Sequence, residues 1–204
     1  MEAYLYEPLK DNEVKCNLCN HRCNIKNGGR GICGVRENRG GVLETLVYGK
    51  VIARHIDPIE KKPLFHFMPR GNILSIGTYG CNFRCPFCQN WQMSQARDFD
   101  EQRDYVGQRA MPKTLVNTCL RDNIPMIAYT YNEPTVFTEF ARDCAVAGNR
   151  RGIRSVVVSN GYISTEPLDW LADEIAAYKV DFKAFSESFY REVTGGHRDD
   201  VLMT

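Results

Sequence analysis

Seven of the nine cysteines in this chain fall in two tight groups, and that grouping limits what the chain can fold into more than any other feature. Cys16, Cys19, Cys23 and Cys33 form a C-x2-C-x3-C-x9-C group, and Cys81, Cys85 and Cys88 form C-x3-C-x2-C. The total is odd, and MEAYLYEPLKDNEVKC carries no apolar leader, which argues against a secreted disulfide framework. Clustered thiols in a reducing compartment stay available to metals. The expectation is a cytoplasmic protein with metal-holding loops. A formal net charge of +1 sets up no field for nucleic acid or anionic lipid, and Arg30, Arg36 and Arg39 are too sparse for a basic patch. No run approaches the roughly 20 apolar residues that span a bilayer.

Three regions separate along the chain. Residues 1–40 hold the first cysteine group among Asn, Gly and Arg, with little hydrophobic periodicity, as expected of a small unit that needs a metal to fold. In residues 41–70, VLETLVY and VIARHI flank Gly49-Lys50 and read as a hairpin. From residue 71 to 204 strands alternate with helices. NILSIGT, PMIAYTYN, SVVVSN and KVDFKAF are the strands. PKTLVNTCLRD, the stretch Pro134 to about Arg150 (Val136, Phe137, Phe140 and Cys144 on one face), and a segment capped by Thr165 with Leu168, Leu171 and Ile175 on one face are the helices. This rhythm suits βα units of an α/β fold with a parallel sheet or barrel. Four strands do not close a barrel, so the sequence reads as truncated after the fourth, or else as a half completed by a partner.

The loop GTYGCNFRCPFCQNW follows the first of these strands. Three thiolates within eight residues can wrap one cluster, and three rather than four leave one iron of a cubane open. Gly77 and Gly80 are expected to let the loop turn sharply off its strand. A zinc site that borrows a further ligand, a closed electron carrier or a non-catalytic metal module are the competing readings.

C-x3-C-x2-C with an aromatic before its last cysteine, here Phe87, resembles the signature of the radical S-adenosylmethionine (SAM) superfamily. SIGTYGCNFRCPFCQNWQMSQ, with CNLCNHRCNIKNGGRGICGVREN before it, is similar to the AmmeMemoRadiSam-system enzymes, relatives of pyruvate formate-lyase activating enzymes. The resemblance implies a partial (β/α)6 barrel of the TIM type with the site at its C-terminal mouth. It also implies a 4Fe–4S cluster on Cys81, Cys85 and Cys88, and SAM chelated at the open iron. SAM would be cleaved there to a 5′-deoxyadenosyl radical that takes hydrogen from a protein or small-molecule substrate, with a flavodoxin or ferredoxin as electron donor. Tyr131-Asn132-Glu133-Pro134 stands where related enzymes carry Gly-Gly-Glu-Pro, which assigns Asn132 and Glu133 to the methionyl ammonium. Asn160, in Ser159-Asn160-Gly161, would reach the carboxylate or ribose, although Asn-Gly is also a common turn pair. Asp181 and Lys183 would sit beside the cofactor, with a charge-paired structural role as the alternative.

The first group does not match the bacterial ferredoxin spacing. Its four thiolates suit tetrahedral zinc or a second, closed iron–sulfur cluster, with His21 between them as a substitute ligand or a solvated loop residue. His55 and His66 read as packing residues, His197 as a weak substrate candidate, and Cys119 and Cys144 as small core residues.

Overall fold

The structure is a computed structural model that describes residues 1–95 and 107–204. Four parallel strands form at Asn72–Gly77 (β8), Met126–Tyr129 (β10), Arg154–Ser159 (β11) and Ala177–Val180 (β12). The last begins two residues earlier than the expected KVDFKAF and ends before Asp181, so that Asp181 and Lys183 lie in the loop after it. They lie side by side in chain order and run parallel, as expected when each crossover is a helix or its equivalent. Every loop leaving a strand C-terminus therefore opens at one end of the sheet. The sheet is not closed into a barrel.

Alternation along the strands sorts residues to two faces. Leu74, Ile76, Ile127, Tyr129 and Val157 pack outward against α2 (Pro112–Arg121) and α3 (Thr138–Asn149), whose Leu115, Val116, Cys119, Phe140, Ala141 and Cys144 form the other half of the main core. Cys119 and Cys144 are thus buried core residues, as expected. Ile73, Met126, Ala128 and Val156 make a second apolar cluster on the opposite face with Ile59. The stretch from Pro134 starts as one 3-10 turn, Pro134–Phe137, before α3. The helix after β11, α4, spans Thr165–Ala172, and Ser164 rather than Thr165 holds its cap position. Ile175 lies beyond its end.

The hairpin expected around Gly49-Lys50 does not form. Val42–Thr45 (β5) pairs instead with Arg36–Arg39 (β4) across Gly40 and Gly41, whose φ values of 65° and 90° suit the primed turn that matches strand twist. A strand reading RENR carries no apolar alternation, which hid it. The second arm is Ala53–Pro58 (β7), which pairs antiparallel with β8 and becomes the edge of the five-stranded sheet. Lys50–Val51 (β6) pairs with Gln108–Arg109 (β9).

The N-terminal region is more ordered than its composition suggests. Tyr6–Pro8 (β1), Val14–Cys16 (β2) and Asn24–Ile25 (β3) form an antiparallel sheet, with its own apolar cluster of Ala3, Val14, Cys16, Leu18, Ile25 and Leu43. The neighbouring β4–β5 hairpin is tied to α3 by a buried ion pair. Arg36 on β4 and Glu139 on α3 are both about 1% exposed and paired side chain to side chain. Arg36, one of three arginines too sparse for a basic patch, is interior. Among the described residues no helix is long and apolar enough to cross a membrane.

Removing one member of a buried pair strands the other charge, at a cost of roughly 3–5 kcal/mol. Glu139→Ala is therefore expected to lower unfolding free energy by about that amount in urea titrations. A change below 1 kcal/mol would show that Arg36 finds water or another partner.

Candidate active site

The cysteine loop has almost no regular structure. One short helix, α1 (Trp91–Ser94), follows it, and the rest is held by side chains from other elements. Asn132, just past β10, donates its amide to Gly80 O (2.8 Å), Tyr79 O (3.2 Å) and Thr78 Oγ1 (3.2 Å), and accepts from Thr78 N (3.1 Å). Asn160, just past β11, donates to Asn82 Oδ1 (2.8 Å) and lies 3.9 Å from Cys81 Sγ. Asn82 in turn donates to Tyr162 O (2.7 Å). Phe83 is buried against Tyr162 and Tyr190. The three thiols are left facing a cavity of about 420 Å3.

Gly80 sits at φ 90°, and a Cβ there would come within 2.8 Å of Cys33 O. It serves both the turn and the close approach of the N-terminal unit. Gly77 needs no left-handed backbone. A Cβ at Gly77 would meet Thr130 O at 2.8 Å, so close packing rather than turning calls for glycine there.

The cavity gathers the residues expected at the strand ends. Cys81, Cys85, Cys88, Phe87, Asn132, Glu133, Asn160, Asp181 and Lys183 all line it. Their roles differ. The amides of Asn132 and Asn160 are spent on the cysteine loop and the turn after β11, where Asn160 Oδ1 accepts from Tyr162 N (2.8 Å). Both fix the loop. Phe87 is half-exposed at the rim, near Phe189.

Glu133 is buried yet lopsidedly satisfied. Its Oε1 accepts from Thr135 N (2.9 Å), Thr135 Oγ1 (2.7 Å) and Ser159 Oγ (2.7 Å), whereas Oε2 accepts from Asn160 N alone (2.7 Å). A carboxylate offers about four lone-pair sites, so Oε2 keeps one for a cation in the cavity. Asp181 is paired with both Lys179 and Lys183, the latter at 3.2 Å. The charge-paired role and the place at the cavity therefore coexist.

Tyr131 occupies the place of the first glycine in the related motif, at φ 73°. A non-glycine residue there costs on the order of 1–3 kcal/mol. The strain is met by what its ring touches. Tyr131 Oη donates to Asp57 Oδ2 (3.1 Å), and Lys62 Nζ lies 4.9 Å from the ring centroid. Asp57 also accepts from Lys62 (2.9 Å), Lys61 (3.2 Å) and Ser75 (3.0 Å). His55 packs beside the same ring, 5.8 Å away.

Burial pushes the Cys81 thiol up, and the Glu133 charge pushes it further. Burial also raises Cys85, with Lys183 pulling the other way. Such thiols ionise when a metal cation reverses the local charge, so the donor set fits a thiolate-held iron centre. His197 is turned away to Glu187 (2.8 Å). Asn82, Asn90 and Ser94 have no role assigned from sequence, and Tyr131 enters there only as the first residue of the Tyr131–Pro134 motif. Ser94 Oγ lies 3.3 Å from Cys88 Sγ, and Asn90 donates to Tyr131 O (2.8 Å). The asparagines within the loop are the one signal that Asn82 and Asn90 carried, and Ser94 carried none.

Residues 75–204 match the family described as the radical SAM superfamily. The whole chain is 45% identical over 204 residues to "Uncharacterized protein MJ0808" of Methanocaldococcus jannaschii, covering 59% of that protein. It is 26% identical over 184 residues to "Uncharacterized protein MJ0674" of the same organism, covering 82% of this chain and 45% of the relative. The chain thus spans about half the length of these curated relatives.

Two outcomes follow from the geometry. Asn132→Ala frees the loop from β10, and iron and sulfide retained per chain after reconstitution should fall by at least half (roughly 1–3 kcal/mol of lost anchoring). Full retention would mean the loop holds itself. Separately, burial opposes ionisation of Asp57, but hydrogen bonds from Lys62, Lys61 and Ser75 outweigh it and hold the carboxyl well below its usual range. That stabilisation is complete above the unfolded pKa of about 4 and is lost as pH falls toward the folded value. Asp57→Asn should flatten the acid limb of the stability curve below about pH 4; an unchanged acid limb would refute it.

Proposed function

The chain belongs to the radical SAM superfamily, and from that premise we propose that Cys81, Cys85 and Cys88 hold its 4Fe–4S cluster and that SAM binds beside them in the cavity. What supports the reading is one juxtaposition: the three-thiol loop opens onto a cavity lined from the ends of all four parallel strands. When bound, the cluster and SAM would supply one-electron reductive cleavage of the sulfonium carbon–sulfur bond and, through it, hydrogen-atom abstraction from substrate.

The chain's own residues bind and orient. Glu133 offers Oε2 to the methionyl ammonium, a charge-assisted hydrogen bond. Lys183 turns to the methionyl carboxylate, and Asp181 keeps Lys179 as its partner when it does so. Asn132 and Asn160 act through the loop, holding the thiols in register with the strand ends. Phe87 covers the rim and limits water. The cysteine motif and the N-terminal group favour, within the superfamily, the AmmeMemoRadiSam enzymes related to pyruvate formate-lyase activating enzymes. The substrate is then a protein or a small molecule, the electron donor a flavodoxin or ferredoxin, and the compartment the cytoplasm.

Anaerobic reconstitution with iron and sulfide should give a reduced cluster whose electron paramagnetic resonance spectrum changes on adding SAM, with release of 5′-deoxyadenosine. Cys85→Ala should abolish that release. Glu133→Gln should weaken SAM binding by about 10–100-fold, as expected for a lost charged hydrogen bond of roughly 1.5–3 kcal/mol. Reduced protein that binds a cluster but releases no 5′-deoxyadenosine would instead make the chain an electron carrier. Deuterium transfer from candidate substrates into 5′-deoxyadenosine identifies the substrate class.

A further inference from the structure

Three of the four N-terminal cysteines come from one short hairpin. β2 and β3 pair with Val14 opposite Ile25 and Lys15 opposite Asn24. Continued by one residue, that register sets Cys16 opposite Cys23, and Cys16 N donates to Cys23 O at 2.9 Å. Directly opposed residues on one face have Cβ atoms roughly 4.5–5.5 Å apart, which lets both thiolates reach one ion at about 2.3 Å. Cys19 lies in the loop between them. Cys33 comes from a separate turn, closed by Gly34 N to Gly31 O (2.9 Å). The Cys23 and Cys33 thiols both lie within 4 Å of the same point above Gly31, at 3.8 and 3.9 Å.

A second observation is independent of the cysteines. Arg36 is 1% exposed, and its Nε and Nη1 have no hydrogen-bond partner. Arg36 lies beside the Cys33 turn, where its carbonyl accepts from Gly31 N (2.9 Å). Donors left unpaired in the interior are costly, and metal-bound thiolates would accept them.

We propose that Cys16, Cys19, Cys23 and Cys33 bind a single zinc ion as a closed tetrathiolate site, with Arg36 as the buried cation that offsets its negative charge. Four ligands leave no open position, so the site is structural. Among the described residues no three His, Cys, Asp or Glu side chains close around a point; a closed shell requires rotation about the cysteine χ1 bonds.

The position of the site gives the zinc a task. His21, between two ligands, has its Nε2 2.7 Å from Asn82 O in the cluster loop. Ser164 Oγ donates to Asn17 O (2.5 Å), and Asn20 Nδ2 to Ile163 O (3.2 Å). Arg22 pairs with Glu166 (2.8 Å). The hairpin that carries three ligands is therefore pressed against the cluster loop and the turn after β11. The zinc holds it there.

The test uses the whole chain, produced with both zinc and iron available, and a triple variant (Cys81→Ser, Cys85→Ser, Cys88→Ser) that removes the cluster ligands. Elemental analysis should give one zinc per chain in both proteins. Cobalt added to the zinc-stripped triple variant should give the thiolate charge-transfer and d–d bands of a tetrahedral four-sulfur site. Arg36→Gln should raise the zinc dissociation constant by about 10–100-fold in chelator competition, the usual effect of losing a neighbour of a ligand. Zinc lost together with Cys81, Cys85 and Cys88 would overturn the proposal. So would iron and sulfide bound by the triple variant, or a Cys16–Cys23 disulfide in protein handled anaerobically. Because the triple variant cannot carry the proposed cluster, failure of the zinc site and failure of the radical chemistry are read separately.

Discussion

The shape of the cysteine loop depends on three side-chain amides. Asn132, Asn160 and Asn82 supply the hydrogen bonds that a helix or ladder would otherwise provide, and they tie the loop to the ends of β10 and β11. Each is committed to backbone or side-chain partners before any ligand arrives. A loop built this way is defined by groups that are distant in sequence, so its geometry is only as good as the sheet register beneath it. Parallel pairing of β8, β10 and β11 fixes that register, and the outward core of Leu74, Ile127, Tyr129 and Val157 against α2 and α3 fixes the sheet.

The site also shows how polar groups are afforded in a buried place. Glu133 is held by four donors, three of them on one oxygen, which leaves its other oxygen with unused capacity. Asp57 gathers two lysines, a serine and the Tyr131 hydroxyl, and so anchors the one non-glycine backbone angle that the mouth demands. These are two carboxylates with opposite uses. Glu133 faces the cavity, and Asp57 steadies the residue next to it.

Much of this was legible in the sequence. The β-branched runs located the four strands, and the polar residues directly after each located the mouth, because a parallel sheet sends all those loops to one end. The hairpin was misplaced because the arm before Gly40-Gly41, RENR, is polar, and apolar alternation is the signal that locates strands. Nothing near Arg36 in the sequence marks it as buried, because its partner, Glu139, is over a hundred positions away. Asn82 and His21 had no local signature either, since each is explained by a contact with another part of the chain. The left-handed angle at Tyr131 was hidden for a related reason: a tyrosine does not advertise a conformation that neighbours impose on it.

The contact between the N-terminal hairpin and the cluster loop joins two segments defined over different distances. Among the described residues β1, β2 and β3 pair with one another, in a ladder that runs from Tyr6 to Ile25. The cluster loop rests instead on Asn132, Asn160 and Tyr162, far along the chain. Contacts of short sequence separation cost less loop-closure entropy than those of long separation, so His21 presents Asn82 with the locally determined side of their contact.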